Sequence, residues 1–547
     1  MKLRHVLLAA CAAVCAAGCS QAPEDGVFQA PRTIVTCDPE LDDNNSMVRF
    51  LLHATDFQID GLVYTSSRFH WLGDGKGTTQ FIPGGEYDNM GLGPQTSWRF
   101  SPDERFIDDI IDAYEKCYAN LKVHDSRYPS PEYLRSVTKW GNCVFEGDYS
   151  YDTDGSNLIK ENILDDKPGP LFIQAWGGSS SIAAALRSIE DQYKGTDEWD
   201  AVVKKVSEKV ILCLSGDQDN AYNKYIAVNW PDVWVWSTNA QMGRYSGNPS
   251  LTDPEWTAKY MTIGPIGERV RLWGDGKQMV PGDMTDFIGP SAGKTREEMT
   301  AEGYYVWSNI QPQGTLYGDG DSGCFYMLID NGLRAWQDPT WGGWSGRWDI
   351  TKGEPQSGHP AYMGNNLAQL SGRPDRSRAA AAGGNARPRG GAAPNGASPD
   401  MAAMMAMMRG GGPEDHTFPN MAPERNLSEA ARMKWSVTPD FADANHYPVV
   451  TGPFELTAAP GETVKVNAKA SDPDGDALTL KWWYFPVGTY VLTNAEALSV
   501  DSPETAETTF TVPSDAKSGD TIHFVLQAQD NGDPVLTKYL RTVITVK

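Results

Sequence analysis

Strand-like segments, polar turns and helix-like segments alternate along the first half of the chain, and this order most constrains the fold. Residues 33–37 form a β-branched and apolar run, an acidic turn follows, and residues 46–53 have a helical pattern. Further strand-like runs cover residues 59–64, 170–176 and 210–214. Strands that alternate with helices pack as a mainly parallel sheet with helices on its faces. The sequence therefore predicts an α/β fold.

The turn after the first predicted strand is strongly acidic. Residues 38–43 read Asp-Pro-Glu-Leu-Asp-Asp, so four of the six carry a carboxylate. Ligands of parallel sheets bind beyond the carboxyl ends of the strands, where this turn lies. Clustered carboxylates repel one another unless a cation neutralises them, and an all-oxygen donor set suits Ca²⁺. The alternative is structural: Asp42 and Asp43 would cap the helix that follows.

The C-terminal part of the chain has a different pattern. Over residues 448–547, apolar and polar residues alternate in short segments that Gly, Pro and Asp turns separate. This pattern predicts an immunoglobulin-like β-sandwich. Residues 373–425 contain mainly Arg, Ala, Gly, Pro and Met, with little that could form a core. They predict a flexible low-complexity insertion.

The N-terminus has the features of an export signal. A basic start and a short apolar run lead to Ala-Ala-Gly-Cys, which resembles a bacterial lipobox ending at Cys19. We predict a lipoprotein signal peptide over residues 1–18, a lipid on Cys19 as the membrane contact, and a tether over residues 19–30. Ser20, where an inner-membrane lipoprotein usually has Asp, favours a cell-envelope lipoprotein of the outer membrane. An ordinary secretory signal would instead give a secreted or periplasmic protein.

Charge and composition narrow the range of partners. The formal net charge is −24, which disfavours a nucleic acid polymer because its phosphates would be repelled. The 18 tryptophans offer rings for stacking on sugars, so a carbohydrate substrate or polysaccharide is expected. Beyond Cys19, the cysteines have no zinc-type spacing. Cys117 and Cys143 would either form a disulfide or be buried as small apolar residues.

Several segments carry a resemblance to a known family. Asp-Pro-x-x-Asp-Asp at residues 38–43, directly after the first strand, resembles the calcium-binding signature of the nucleoside hydrolase superfamily. Gly-Gly-Ser-Ser-Ser-Ile-Ala at residues 177–183 resembles a second turn of that superfamily. More closely, the chain looks like the secreted nucleoside-hydrolase-like family that is often described as cellulose-binding. The segments that carry this closer likeness are residues 176–178, 215–219, 320–322, 341–347 and 430–435.

The resemblance covers most of residues 31–547 and divides them into units. It implies a nucleoside-hydrolase-like domain over residues 31–372, then the insertion over residues 373–425. A closing segment of the first domain follows over residues 426–447, and the β-sandwich domain occupies residues 448–547. The low-complexity stretch then interrupts the first domain before its end.

The resemblance also implies a calcium-dependent site. Asp38 matches the residue that binds Ca²⁺ and acts as general base on water, and Asp43 matches a bidentate ligand. The backbone carbonyl of Trp176 and the carboxylate of Asp321 match further metal ligands, and Asp42 matches a contact to a sugar hydroxyl. Calcium would lower the pKa of a bound water, which a carboxylate could then deprotonate. Further substrate-binding candidates are Asp219, Asn220 and Trp344.

The sequence departs from the family pattern at several positions. Thr36 replaces the first Asp of the calcium turn, and Glu40 replaces its Gly. Gly320 stands where the superfamily has the His that can protonate a purine leaving group, so nucleobase recognition is expected to be lost. His70 could be a leaving-group acid, or an ordinary core or surface histidine. Trp344 lies in a Gly-rich aromatic turn that would either stack on a sugar or pack a long loop.

These expectations leave three functions open. The leading one is calcium-assisted hydrolysis of a glycosidic bond in an extracytoplasmic carbohydrate or glycoconjugate. The first alternative is a non-catalytic lipoprotein that binds a polysaccharide of the cellulose type. The second alternative, which the lost histidine disfavours, is an extracellular nucleosidase.

Overall fold

The computed structural model describes most of the chain from residue 30 onwards. Its described residues are 30–83, 86–237, 251–278, 280, 282–306, 308–338, 340–346, 361–363, 421–485, 490 and 500–547. The predicted signal peptide, the lipid site at Cys19 and nearly all of the predicted insertion lie outside these residues. No helix in the described ranges combines the length and the apolar character needed to cross a membrane.

A seven-stranded sheet forms the centre of the first domain, with its strands in the order β3-β2-β1-β4-β5-β6-β7 and every pair parallel. The strands are β1 (Arg32–Cys37), β2 (Gln58–Tyr64), β3 (Thr138–Trp140), β4 (Leu171–Ala175), β5 (Val210–Leu214), β6 (Trp234–Ser237) and β7 (Ala361–Met363). Alternate residues of β1 enter two separate apolar cores, Val35 one and Ile34 the other, so both faces of the sheet are covered. This burial explains the continuous apolar run of β1. The predicted α/β fold is confirmed.

Helices connect the strands and cover the two faces of the sheet. In the described ranges, those of six residues or more are α1 (Leu41–Leu52), α2 (Phe106–His124), α3 (Pro131–Ser136), α4 (Asp154–Leu164), α5 (Ser180–Tyr193), α6 (Trp199–Lys209), α7 (Arg296–Ala301) and α8 (Ala422–Val437). Helix α4 begins with a capping box in which Thr153 and Ser156 satisfy each other's backbone amides. Helix α8 begins within the predicted insertion and packs against α1 and α2, so the chain returns to the first domain before the sandwich.

The residues after α8 form the second domain. Its strands are β8 (Val449–Thr451), β9 (Glu455–Ala458), β10 (Thr463–Asn467), β11 (Lys469–Ser471), β12 (Thr479–Phe485), β13 (Glu507–Thr511), β14 (Thr521–Gln529) and β15 (Thr537–Val546). The largest sheet has the order β12-β14-β15-β9, while β10 pairs with β13 and β11 with β8. Inward-facing residues such as Trp482, Phe510 and Phe524 form one apolar core. The predicted β-sandwich is confirmed.

The two domains share a buried interface. Arg541 of β15 is fully buried, and it donates from Nε to the carbonyl of Leu333 at 2.7 Å. Its Nη2 donates to the carbonyl of Trp341 at 2.9 Å. The amide of Tyr539 donates to the carbonyl of Asn331 at 2.8 Å, and the Tyr539 ring belongs to the apolar core of the first domain. The sandwich is therefore bonded to the first domain through side chains and backbone alike.

The cysteines of the described ranges are buried thiols. Those that are free and buried are Cys37, Cys117, Cys143, Cys213 and Cys324. Cys117 and Cys143 are therefore buried as small apolar residues and do not form the disulfide that the sequence left open. Burial also raises the pKa of the Cys213 thiol, which keeps this residue protonated and unreactive.

Candidate functional site

The loop after β1 carries Asp38 to the carboxyl edge of the sheet, where its side chain is fully buried. Asp38 Oδ2 accepts hydrogen bonds from Ser67 Oγ and from His70 Nδ1, each at 2.7 Å. Asp38 Oδ1 has no hydrogen-bond partner among the described residues. One oxygen of this carboxylate is therefore held in place, and the other is left to act on a ligand or a water.

His70 and Ser67 come from the loop after β2, and they orient Asp38. Because an ionised carboxylate only accepts, the proton in the contact with Asp38 belongs to His70 Nδ1. His70 Nε2 is buried and has no partner in the described part of the chain. His70 is thus a buried residue of the site, in direct contact with the predicted base.

Three more carboxylates of the predicted set lie beside Asp38. Asp42 and Asp43 belong to the first turn of α1, and Asp321 belongs to a short helical turn over residues 320–322. The backbone amide of Asp38 donates to Asp43 Oδ1 at 3.1 Å. Ligand oxygens of Glu40, Asp42 and Asp43 lie within 4.8 Å of one another. The fold therefore brings together the four carboxylates predicted as the site, Asp38, Asp42, Asp43 and Asp321, and Glu40 of the same acidic turn lies with them.

These carboxylates disfavour one another's charge in a buried setting. Burial, and then the charges of Asp321 and Asp38, raise the pKa of Asp43 well above its ordinary value. Burial, and then Asp42, likewise raise the pKa of Asp321. Burial together with Asp38 raises the pKa of Asp42 to about 7. A neighbouring cation acts in the opposite direction. The cluster is therefore stabilised either by protons or by a cation.

The donor set fits a hard divalent cation. Asp38 Oδ1, Asp43 Oδ2 and Asp321 Oδ2 are buried oxygens that no donor of the described residues reaches. Calcium takes six to eight oxygen ligands, with carboxylates and backbone carbonyls among them. Helix capping alone does not account for the cluster, because Asp43 accepts from the Asp38 amide, which precedes α1, and its second oxygen is unused.

Trp176 directly follows β4 at the same edge. Its amide donates to the carbonyl of Thr36 at 2.9 Å, which continues the ladder between β1 and β4. Its own carbonyl, the predicted metal ligand, accepts from Gln218 Nε2 at 2.6 Å. A carbonyl oxygen has a second lone pair, so this hydrogen bond leaves one acceptor position open.

Two glycines after Trp176 allow the loops that follow β1 and β5 to approach this turn. A Cβ on Gly177 would overlap Asp38 Oδ1, and a Cβ on Gly178 would overlap Asp219 Oδ2. A side chain at position 177 would therefore displace the carboxylate of Asp38, and one at position 178 would displace that of Asp219. The close approach of these carboxylates therefore explains why glycine occupies both positions of the Gly-Gly pair, which carried part of the family resemblance.

Asp219 and Asn220, two predicted substrate-binding residues, lie in the loop after β5. Asp219 accepts from the amide of Ser180 at 2.9 Å and from the amide of Ala221 at 3.0 Å, so both of its oxygens fix backbone. Asn220 has a left-handed φ of 61°, a conformation that Asn tolerates better than most residues. Asp219 thus shapes the loop, and Asn220 lies at its bend.

Trp344, the third predicted substrate-binding residue, lies in the core. Its side chain is 1% exposed and packs edge-on against Tyr326 and His53. Arg425 of α8 donates to its backbone carbonyl. The ring therefore packs a long loop against the first domain.

Gly320 occupies the position at which the superfamily has a histidine. A Cβ on Gly320 would lie 2.6 Å from Asp42 Oδ2, closer than real contacts of this kind. A side chain there would require Asp42 to move. Among the described residues, the histidine that contacts Asp38 is His70, which comes from another loop.

A buried ion network supports the acidic turns. Arg49 of α1 lies 2.9 Å from Asp319 Oδ2 and also pairs with Glu429 of α8. All three side chains are nearly fully buried. Asp319 directly precedes the turn that carries Asp321, so one guanidinium connects this turn, α1 and α8. Arg49 thereby positions two parts of the carboxylate cluster.

Sequence reasoning missed Ser67 and the buried carboxylate of Glu146, and it gave no role to Asp217, although residues 215–219 carried part of the family resemblance. Glu146 lies in the loop after β3 and Asp217 in the loop after β5, and each is 5% exposed. Both oxygens of Glu146 and Oδ1 of Asp217 lack a partner within the described ranges. No motif marks Ser67 or Glu146. Their position shortly after a strand was the available signal.

The sequence matches two family models. Residues 32–348 match the model described as cellulose-binding Sde182, nucleoside hydrolase-like domain. Residues 463–546 match the model described as cellulose-binding protein Sde0182, C-terminal domain. A search of curated proteins returned no match.

One solved structure is similar over nearly the whole chain. It is a nucleoside hydrolase-related hypothetical protein from Saccharophagus degradans that is associated with carbohydrate metabolism, and it is 21% identical with a TM-score of 0.63. The alignment covers 95% of this chain and 100% of that one. Murine CRIg is 14% identical with a TM-score of 0.15, over 19% of this chain and 98% of that one. The PKD domain from KIAA 1837 protein is 16% identical with a TM-score of 0.13, over 17% and 81%.

The first family model spans more than half of the sequence, and the fold agrees with it. The chain therefore belongs to the cellulose-binding Sde182 family, whose first domain is nucleoside hydrolase-like.

Proposed function

We propose that this protein catalyses calcium-assisted hydrolysis of a glycosidic bond in an extracytoplasmic carbohydrate or glycoconjugate. The observation that carries the proposal is the convergence of Asp38, Asp43 and Asp321, each with a buried oxygen that no donor of the described residues reaches. Burying unpaired carboxylates costs stability. A protein that only bound glycan at an exposed surface would not need to bury them. The description of the family as cellulose-binding supports a carbohydrate substrate.

Calcium fits the residues that are present. The carboxylates of Asp38, Asp43 and Asp321 and the carbonyl of Trp176 would hold it. When bound, calcium would neutralise the cluster and lower the pKa of a coordinated water. The unpartnered oxygens support this assignment because hard cations prefer such ligands.

In this proposal Asp38 is the general base. Its Oδ1 takes a proton from water, while Oδ2 stays bonded to Ser67 and His70 and keeps the carboxylate oriented. Asp42, which is partly exposed, accepts a hydrogen bond from a sugar hydroxyl. The water adds to the anomeric carbon as the bond to the leaving group breaks. The oxocarbenium character of that transition state is stabilised by the surrounding carboxylates.

The second candidate function is polysaccharide binding without catalysis. Gly320 favours it, because the position of the superfamily's leaving-group acid carries no side chain. The descriptions of both matched families as cellulose-binding favour it as well. In this case the carboxylate cluster would bind an ion for structural reasons alone.

Sugar release by the soluble mature protein tests the proposal. The panel contains cello-oligosaccharides, other plant and algal oligosaccharides, small glycosides and nucleosides, each with calcium or with chelator. We expect calcium-dependent release of reducing sugar, and a loss of several orders of magnitude in the Asp38→Asn variant. No release from any member, with cellulose pull-down intact, would favour the binding protein. Release of ribose from inosine or uridine would instead establish a nucleosidase.

We also propose that Cys19, which lies outside the described residues, carries a lipid that anchors the protein in the outer membrane. The support is the lipobox-like sequence before it and Ser20 after it. Metabolic labelling with palmitate tests this: we expect label in the full-length protein of outer-membrane fractions and none in the Cys19→Ala variant. Unlabelled wild-type protein in the soluble fraction would contradict it.

A further inference from the structure

The loop between β3 and α4 crosses the carboxyl edge of the sheet. Strand β3 is the edge strand and lies four positions from β5, which corresponds to about 19 Å at the usual strand spacing. Yet a Cβ on Gly147, in the loop after β3, would lie 2.6 Å from the carbonyl of Asp219, in the loop after β5. On the way, Ser66 Oγ of the loop after β2 donates to the carbonyl of Phe145 at 3.0 Å. The loop therefore passes over the ends of β2, β1 and β4, and Glu146 lies on this crossing.

The backbone of Glu146 is held while its carboxyl group is not. Its amide donates to Gln80 Oε1 at 3.1 Å, and Gln80 Nε2 donates to its carbonyl at 3.3 Å. Neither carboxyl oxygen has a hydrogen-bond partner among the residues described here, although the residue is 5% exposed. A buried carboxylate without donors is costly, whereas the protonated acid is neutral.

Charged groups around Glu146 do not reverse this preference. Burial raises the pKa of Glu146 to about 8; the charges of Arg68 and Lys224 act to lower it, and those of Asp219 and Asp217 add to the rise. Burial prevails, so the protonated form predominates at neutral pH.

Glu146 and Asp38 therefore have opposite environments at one edge of the sheet. Asp38 Oδ2 accepts two hydrogen bonds, whereas no donor of the described residues reaches either carboxyl oxygen of Glu146. Most inverting glycosidases use such a pair, with one carboxylate as base and one carboxylic acid as proton donor. We propose that Glu146 is the acid that protonates the leaving group, an assignment that rests on the proposed function.

The step balances without a further reactant. The Glu146 carboxylic acid gives its proton to the glycosidic oxygen as the bond from that oxygen to the anomeric carbon breaks. Water forms the new bond to the anomeric carbon and loses a proton to Asp38. The products are an alcohol and a free sugar, and proton exchange with solvent then returns both carboxyl groups to their starting states. In this assignment His70 keeps the orienting role that its Nδ1 contact with Asp38 indicates.

Leaving-group dependence tests the assignment. The Glu146→Gln variant is compared with wild type on two glycosides of the sugar that the panel identifies. The methyl glycoside needs a proton donor, whereas the dinitrophenyl glycoside leaves as a stable anion. We expect a loss of about 10²–10⁴-fold in kcat on the methyl glycoside and little loss on the dinitrophenyl one. Asp38→Asn should slow both, and Asp148→Asn, whose carboxylate bonds the Ser150 amide in the same loop, should slow neither.

A spectroscopic measurement completes the test. The infrared difference between wild type and Glu146→Gln should contain a protonated-carboxyl band that disappears above a pH of about 8. Absence of that band at neutral pH, or equal losses on the two glycosides, would overturn the assignment. Wild-type protein that cleaves no member of the panel would refute the proposed function itself. Turnover by wild type that the Glu146→Gln variant retains in full would refute only the role of Glu146.

Discussion

Replacing Asp43 by Asn should have opposite effects on stability in chelator and in calcium. Asn keeps an oxygen at the position of Oδ1, which accepts from the Asp38 amide at 3.1 Å. It turns the unpartnered Oδ2 into an amide nitrogen that can donate to the neighbouring carboxylates. In chelator the substitution therefore removes a repulsion and adds a donor.

The geometry sets the size of the effect. The ligand oxygen of Asp43 lies within 4.8 Å of those of Glu40 and Asp42, and two unit charges at that distance repel by about 3 kcal/mol at an effective dielectric constant of about 20. Partial protonation already relieves some of this repulsion. We therefore expect Asp43→Asn to raise the free energy of unfolding by about 1–3 kcal/mol in chelator.

Calcium should reverse the order of stability. At a concentration about 1,000 times the dissociation constant, binding adds about 4.1 kcal/mol to wild type, which exceeds the gain of the variant in chelator. The variant lacks one carboxylate ligand and should respond little. Urea unfolding of both proteins, with calcium and with chelator, measures the four values.

Asp60→Asn is the matched control. Asp60 is buried like Asp43, but it is paired with Arg32 at 2.6 Å, away from the cluster. The control should lose stability by a similar amount with calcium and with chelator. If Asp43→Asn is destabilised in chelator as Asp60→Asn is, repulsion within the cluster does not govern its stability, and the reasoning is refuted.

Three further perturbations have definite expected results. Arg49→Met should destabilise the first domain by about 3–5 kcal/mol in urea unfolding, because two buried carboxylates lose their partner, and a loss below about 1 kcal/mol would contradict the network. Burial lowers the pKa of His523 to about 2, so below pH about 6.5 only the unfolded chain takes up this proton, and wild type loses stability. The free energy of unfolding of His523→Gln should therefore rise by about 2 kcal/mol relative to that of wild type as the pH falls from about 7.5 to about 5. A pH-independent difference would exclude this explanation. Gly178→Ala should abolish sugar release and calcium-induced stabilisation together, because its Cβ would overlap the carbonyl of Ser66; an unchanged calcium response would show that the loops can move apart.

The order of strands and helices was accessible from the sequence. Parallel strands buried on both faces are continuous apolar runs, so residues 33–37 and 210–214 stand out without any contact information. The acidic turn was equally visible, because Asp38, Asp42 and Asp43 are neighbours in the chain. Asp321 required the family resemblance, since it lies far along the sequence and no local pattern connects it with α1.

What the sequence did not reveal depends on loops that meet only in the folded chain. Ser67 and Glu146 reach the site from the loops after β2 and β3, and their neighbours in the sequence do not distinguish them from ordinary surface residues. Trp344 shows the reverse case. Its Gly-rich aromatic turn suggested a sugar platform as readily as packing, and only the neighbouring Tyr326 and α8 decide that the ring is buried.

The interface around Arg541 changes how the sandwich should be studied. Carbohydrate-binding modules are commonly examined by deletion, on the assumption that a module joined by a linker leaves its partner intact. Here a chain cut before Val449 would leave the carbonyls of Leu333 and Trp341 without their donor and would expose apolar core. Removing the sandwich would therefore change both the folding of the first domain and the binding of glycan, so its effect could not be assigned to either one. Single substitutions on the outer face of the sandwich are the experiment that separates these two properties.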